Sequence, residues 1–220
     1  MEGSKAILYI HGMGGGADSR IPSILSECLP SSIKVVVRTY DFDPETAQGQ
    51  ISAWIEELRP FALAGESLGA NHALAMHKRY GLPTVLVSPA LNAPAVLSTL
   101  APVTWVPGVS ALLDRIYRPR PGDRQPIHFR YAMLRKWKLM HTSFDRRSKD
   151  KAVFAFFGTH DHYRRSGIVS LRGWRKRFGE GTYALYDGSH FMEEQYVRTL
   201  LADHIRDLAE GSCEKMSRET

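Results

Sequence analysis

Short apolar runs alternate along the chain with longer stretches in which apolar residues recur every three or four positions. The short runs lie at residues 5–10, 33–39, 61–65, 83–88, 152–157 and 182–186. Several, such as Ala152-Val153-Phe154-Ala155-Phe156-Phe157, are apolar throughout. That pattern predicts strands covered on both faces. The longer stretches near 20–28, 46–58, 68–79, 167–178 and 192–209 predict helices. In the second, Ile51, Trp54, Ile55 and Leu58 recur at helical spacing and Pro60 stops the helix. In the last, Tyr196, Leu200, His204 and Leu208 do likewise. Strand and helix in alternation predict βα units and a mostly parallel sheet with helices on both faces. The polar tail from Gly211 to Thr220 is expected to fray.

Residues 89–150 break this rhythm. Prolines recur at Pro89, Pro94, Pro102, Pro107, Pro119, Pro121 and Pro126, with short apolar patches between them. The stretch predicts irregular helices, and it is too short to bury much core of its own. Residues 1–220 therefore read as one domain.

Three of the predicted strands run into loops with chemical potential. The run Phe61-Ala62-Leu63-Ala64 leads into Gly65-Glu66-Ser67-Leu68-Gly69 and then a helix-like segment, the setting in which G-x-S-x-G acts as a sharp turn presenting a serine oxygen. Ala152–Phe157 leads to Gly158-Thr159-His160-Asp161, and Thr182–Tyr186 leads to Asp187-Gly188-Ser189-His190. A fourth strand, Ala6–Ile10, runs into His11-Gly12-Met13-Gly14-Gly15-Gly16, where the backbone can come close to a substrate and turn N–H groups inward.

Nucleophile, acid and histidine follow one another in the order found in α/β-hydrolases. On these motifs the chain resembles the α/β-hydrolase superfamily, and most of all its small compact bacterial serine esterases. The likeness spans roughly residues 5–210 and is vague in the middle third. It implies a reduced α/β-hydrolase fold of about six strands, because larger members carry two further strands before the His-Gly strand. It also implies that about 90–150 form a cap or lid insertion covering the serine; a long surface excursion packed against the sheet is the plainer alternative.

The resemblance implies a catalytic set of Ser67 as nucleophile, His190 as base and Asp161 as the carboxylate that orients His190. Asp187 competes with Asp161 but begins an Asp-Gly turn, a common structural use. The oxyanion donors would be the backbone N–H of Leu68, directly after the serine, and of Met13 in the His-Gly loop. His11 is expected to shape its loop, and His72 and His77 to be structural. Glu66 is expected to point away from the scissile bond. No cofactor is expected. His160 and His162 flank Asp161 without a ligand spacing that would indicate a metal.

Composition changes the picture little. The chain has 220 residues, 43% of them hydrophobic. No apolar run approaches a membrane span, no signal-peptide pattern precedes the first strand, and Cys28 and Cys213 form no disulfide framework. A cytoplasmic protein with reduced thiols is the expectation. The net charge is +6, and basic residues crowd Arg115–Arg177. A solvated face explains such a segment, and an anionic substrate or, less readily, a membrane surface could also use it. Nothing marks a nucleic-acid binder.

The expected function is a serine hydrolase cleaving a small-molecule carboxylic ester or thioester, with an inclination towards substrates bearing carboxylate or phosphate. An acyltransferase using the same residues is the alternative. A non-catalytic binding module on the same scaffold is a third reading, disfavoured because all three residues are present.

Overall fold

A computed structural model describes residues 4–143 and 152–218, the side chains of 141–143 and 212–218 excepted. The strands are β1 (Lys5–Ile10), β2 (Ile33–Val37), β3 (Ala62–Glu66), β4 (Thr84–Val87), β5 (Val153–Gly158) and β6 (Tyr183–Tyr186). They form one six-stranded sheet in the order β2-β1-β3-β4-β5-β6, and every pairing is parallel. All strand carboxyl ends therefore share one edge, the edge on which loops of distant sequence can meet.

The alternation along β1 assigns its residues to two apolar layers. Ile7 and Tyr9 face α1 (Arg20–Cys28) and α9 (Ala202–Arg218), packing with Ile21, Leu25 and Ile205. Leu8 and Ile10 face α2 (Pro44–Leu58) and α3 (Gly69–Tyr80), packing with Ile51, Ile55, Ala70 and Leu74. Both layers are needed because neither face of a parallel sheet can be left to water.

Helix ends follow local chemistry. Asp43 caps α2 by accepting from the N–H groups of Glu45 and Thr46, and Pro44 occupies the first helical position, so α2 starts earlier than its apolar stripe. Ser170 caps α7 (Leu171–Phe178) by accepting from Gly173 N–H. The last helical stretch departs from expectation twice. A turn α8 (Glu194–Tyr196) is followed by a π-helical stretch, Val197–Leu201, and then α9. The buried stripe runs through Val197, Leu201, Ala202, Ile205 and Ala209, beside the spacing read from Tyr196, Leu200, His204 and Leu208, which are only partly buried. A π turn adds a residue to the helical repeat and shifts which side faces inward. The backbone of α9 is also helical to Arg218, across the stretch expected to fray.

Between β4 and β5 lie α4 (Ala93–Thr99), a 3-10 turn at Pro102–Trp105, α5 (Val109–Ile116) and α6 (Tyr131–Ser143). A third apolar cluster joins Leu97, Phe129, Leu134 and Trp137 of this segment to Phe42 and Leu68 of the loops at the sheet edge. Lys136 of α6 reaches Asp43 at 2.8 Å and Glu45 at 3.0 Å, tying it to the start of α2. Residues 144–151, with the expected basic positions Arg146, Arg147, Lys149 and Lys151, lie outside the described residues, as does the Cys213 side chain. Cys28 is a half-buried free thiol. Among the described residues, no helix is long and apolar enough to cross a membrane.

His72 of α3 is fully buried between the rings of Tyr40, at 5.1 Å, and Trp137, at 5.4 Å. Neither of its ring nitrogens has a hydrogen-bond partner among the described residues. Burial lowers its pKa from 6.5 to about 3, with nearby His11 contributing. Below about pH 6.5 the unfolded chain binds a proton at this position that the folded chain refuses, so stability falls as pH falls, by about 1.4 kcal/mol per pH unit. His72→Phe keeps the aromatic contacts and removes that proton. Urea unfolding between about pH 6 and pH 4.5 should show a pH slope smaller by about one proton in the variant, with no loss of stability at pH 7. An unchanged slope would refute a neutral buried ring.

Candidate active site

Ser67 stands at the end of β3 with φ 50°, a left-handed conformation that a non-glycine residue holds at a cost of about 1–3 kcal/mol. Its surroundings enforce it. Ser67 N–H donates to Val87 O at 3.0 Å, and Ala90 N–H donates to Ser67 O at 3.0 Å. The flanking glycines are steric requirements. A Cβ on Gly65 would lie 2.9 Å from Ala73 Cβ, and one on Gly69 would lie 2.2 Å from His11 O. Only without these carbons can β3, α3 and the loop after β1 approach so closely.

His190 and Asp161 come from the loops after β6 and β5. His190 Nε2 lies 2.9 Å from Ser67 Oγ, and His190 Nδ1 lies 2.7 Å from Asp161 Oδ2. Both side chains are almost wholly buried. Asp161 is oriented by its second oxygen, which accepts Tyr163 N–H at 2.8 Å, and the Tyr163 ring packs edge-on against His190 at 4.6 Å. Gly158 lets the His190 loop come close, since a Cβ there would lie 2.2 Å from Ser189 O. Glu193 accepts Ser189 N–H at 2.9 Å, and an Arg20 guanidinium N–H donates to Met192 O. Asp187 is elsewhere: it is exposed and meets His160 Nε2 at 2.9 Å.

The loop after β1 lies against the serine, with the Cβ position of Gly12 only 3.2 Å from Ser67 Cβ. His11 stacks on Tyr40 at 4.2 Å, and its Nδ1 donates to Gly12 O at 2.8 Å. Burial lowers the His11 pKa to about 4, so the ring is neutral at pH 7. The Tyr40 hydroxyl donates to His11 O at 2.5 Å. Gln125 accepts Gly14 N–H at 3.1 Å and donates to Tyr40 O and Asp41 O, both at 3.2 Å. The backbone N–H groups of Met13 and Leu68 have no protein acceptor among the described residues. His77 packs structurally, its Nδ1 against Leu82 O at 2.7 Å.

Glu66 has a role the motif does not announce. Its Oε1 accepts Gly12 N–H at 3.2 Å, and the side chain lines the cavity in front of Ser67. Tyr40 and Gln125 are further supports that no local pattern announces, because each acts through a backbone contact made across the fold.

That cavity has a volume of about 410 Å³. Ser67, His190 and the glycine loop line one part, and apolar residues including Val96, Leu97, Leu100 and Phe129 line another. Arg20 and Arg124 also line it, Arg124 being paired with Asp18 at 3.1 Å.

No family model and no curated protein matches the chain. Solved structures do. Est1E from Butyrivibrio proteoclasticus, with ferulic acid bound, is similar at a TM-score of 0.58 and 14% identity over 96% of this chain and 91% of its own. The proline iminopeptidase-related protein from Thermus thermophilus gives 0.53 and 15% over 93% and 89%. A thermophilic esterase from Thermogutta terrifontis gives 0.52 and 12% over 96% and 91%. The chain has the α/β-hydrolase fold. At such identities the likeness speaks to fold alone.

The contact at Gly69 should dominate local stability. Gly69→Ala presses a methyl group into backbone carbonyls and should cost more than about 3 kcal/mol in chemical denaturation. Gly49→Ala, in α2 with open space around the new carbon, should instead gain about 0.5–1 kcal/mol. Equal effects would show that the approach of the two backbones is not tight.

Proposed function

We propose that the protein is a serine hydrolase that cleaves a carboxylic ester or thioester through Ser67, His190 and Asp161. The observation that carries this reading is the unbroken line of contacts from Ser67 Oγ to His190 Nε2 and from His190 Nδ1 to Asp161 Oδ2, at 2.9 and 2.7 Å. A serine hydroxyl is a weak nucleophile until a base can take its proton during attack. His190 is in reach to do so, and the buried Asp161 carboxylate holds the proton-bearing Nδ1 and stabilises the imidazolium that forms. The proton then passes to the leaving alkoxide or thiolate, leaving an acyl group on Ser67. Water, deprotonated by His190, releases it.

The unaccepted N–H groups of Leu68 and Met13 support their reading as donors to the tetrahedral oxyanion. Donors held in place before the reaction need no reorganisation as charge develops, and one is worth about two to three orders of magnitude in rate. The bonds from Glu66 and Gln125 to the loop support such preorganisation. The segment at about 90–150 is read as a cap, supported within its described part by the apolar cavity wall that α4 supplies. Arg20 and Arg124 in the same cavity support a substrate carrying a carboxylate or phosphate.

A fluorophosphonate probe tests the activated serine directly. The parent should label, and Ser67→Ala and His190→Ala should not. Asp161→Asn should keep the fold and lose about four orders of magnitude in kcat on short acyl esters. Hydrolysis by Ser67→Ala at the parent rate would end this reading.

A further inference from the structure

No residue of helix α5 is fully buried: Leu113 is half-buried against the third apolar cluster, while Leu112 and Ile116 of the same helix are exposed. Ile116 is 61% exposed and Leu112 55%. The 3-10 turn that packs beside α5 adds Trp105, 71% exposed, and the following Val106, 55% exposed. Val96, Val103 and Tyr117 are exposed as well. Large apolar side chains scattered singly over a surface need no explanation, but seven exposed within residues 96–117, with α5 packed beside the 3-10 turn, are a concentration that does.

The charge around the patch is one-sided. Residues 91–143 contain eight Lys and Arg against two Asp, an excess equal to that of the whole chain. Arg115, Arg118 and Arg120 are exposed, and none has a carboxylate partner among the described residues. Asp114 is the sole acidic residue from 91 to 122. It is already engaged, accepting Phe129 N–H at 2.7 Å and an Arg130 N–H at 2.8 Å.

An apolar centre with a basic margin and an exposed tryptophan has the character of a segment that lies in a lipid interface. A second copy of the chain is a poorer match, because a two-fold contact would set the arginine margin against itself. Nucleic acid offers nothing to Trp105, Val106, Leu112 and Ile116 as a group. We propose that this face, α5 with the 3-10 turn before it, docks the protein on an anionic lipid surface. Aliphatic and indole groups enter the headgroup boundary while Arg115, Arg118 and Arg120 meet lipid phosphates. Val96 and Tyr117 belong both to the exposed patch and to the cavity wall. Docking would therefore set the cavity beside the lipid phase, and its use for lipid-dissolved esters rests on the hydrolase reading above.

Flotation with phosphatidylglycerol-containing vesicles, against pure phosphatidylcholine, tests the docking without turnover. The parent should float with the anionic vesicles and be largely released by high salt. Arg115→Gln, Arg118→Gln and Arg120→Gln combined should weaken binding by about fivefold per charge removed. Leu112→Ser with Ile116→Ser should weaken it at least about tenfold at either salt concentration. Hydrolysis of a water-soluble short-chain ester should be unchanged in both variants, which also shows that they fold. The proposal fails if the parent does not float, or if both variants float as the parent does. It also fails if sedimentation shows a dimer that Ile116→Ser dissociates, since the face would then belong to a second copy. A chain that floats yet cleaves no ester would keep the docking surface and lose the hydrolase reading; the reverse result would do the opposite.

Discussion

The backbone leaving β1 and the backbone entering α3 meet with no side chain between them. Gly69 lies so close to the carbonyls of Ile10 and His11 that a single added carbon would fall 2.5 and 2.2 Å from them. Much of the sheet edge is arranged around this contact. It sets the height of the glycine loop over Ser67. It also explains why the loop needs so many supports. A glycine-rich segment loses more conformational freedom on folding than any other. Tyr40, Gln125 and Glu66 each spend a polar group on holding it, from three different parts of the chain.

Much of this could be read from the chain. The strands were legible because buried parallel strands are apolar without interruption, and β1 ends where its apolar run ends. Ser67 was legible because a left-handed serine between two close-packed glycines leaves a local signature. His190 and Asp161 were legible through their place just beyond strand ends. Choosing Asp161 over Asp187 needed a turn argument, and the structure separates them by burial: one carboxylate is enclosed beside the imidazole and the other is open to water.

What stayed hidden had physical reasons. The inward stripe of the last helix cannot be counted from sequence once a π turn intervenes, because the period changes partway. Glu66 looked inert because its partner is a backbone N–H on another strand's loop, and backbone groups carry no sequence signature. The segment between β4 and β5 was the least legible of all. Its apolar residues serve the third cluster, the cavity wall and the open surface by turns, so no single period survives. α5 is amphipathic in a way that would ordinarily predict burial, yet only Leu113 packs on the third cluster, while Leu112 and Ile116 are open to solvent.

The three contacting side chains are far from equal in the order of synthesis. Ser67 and its glycine loop are complete within the first third of the chain, while His190 lies 123 residues beyond the serine on the loop after the last strand. That strand, β6, sits at the edge of the sheet and, among the described residues, pairs only with β5. Contacts of such sequence separation close late, since the intervening chain must be ordered first. A growing polypeptide would thus carry an elbow serine with no base beside it until the final strand adds to the edge. The contact between Ser67 and His190 is a mark of completed folding, absent from any chain whose last strand has yet to join the sheet.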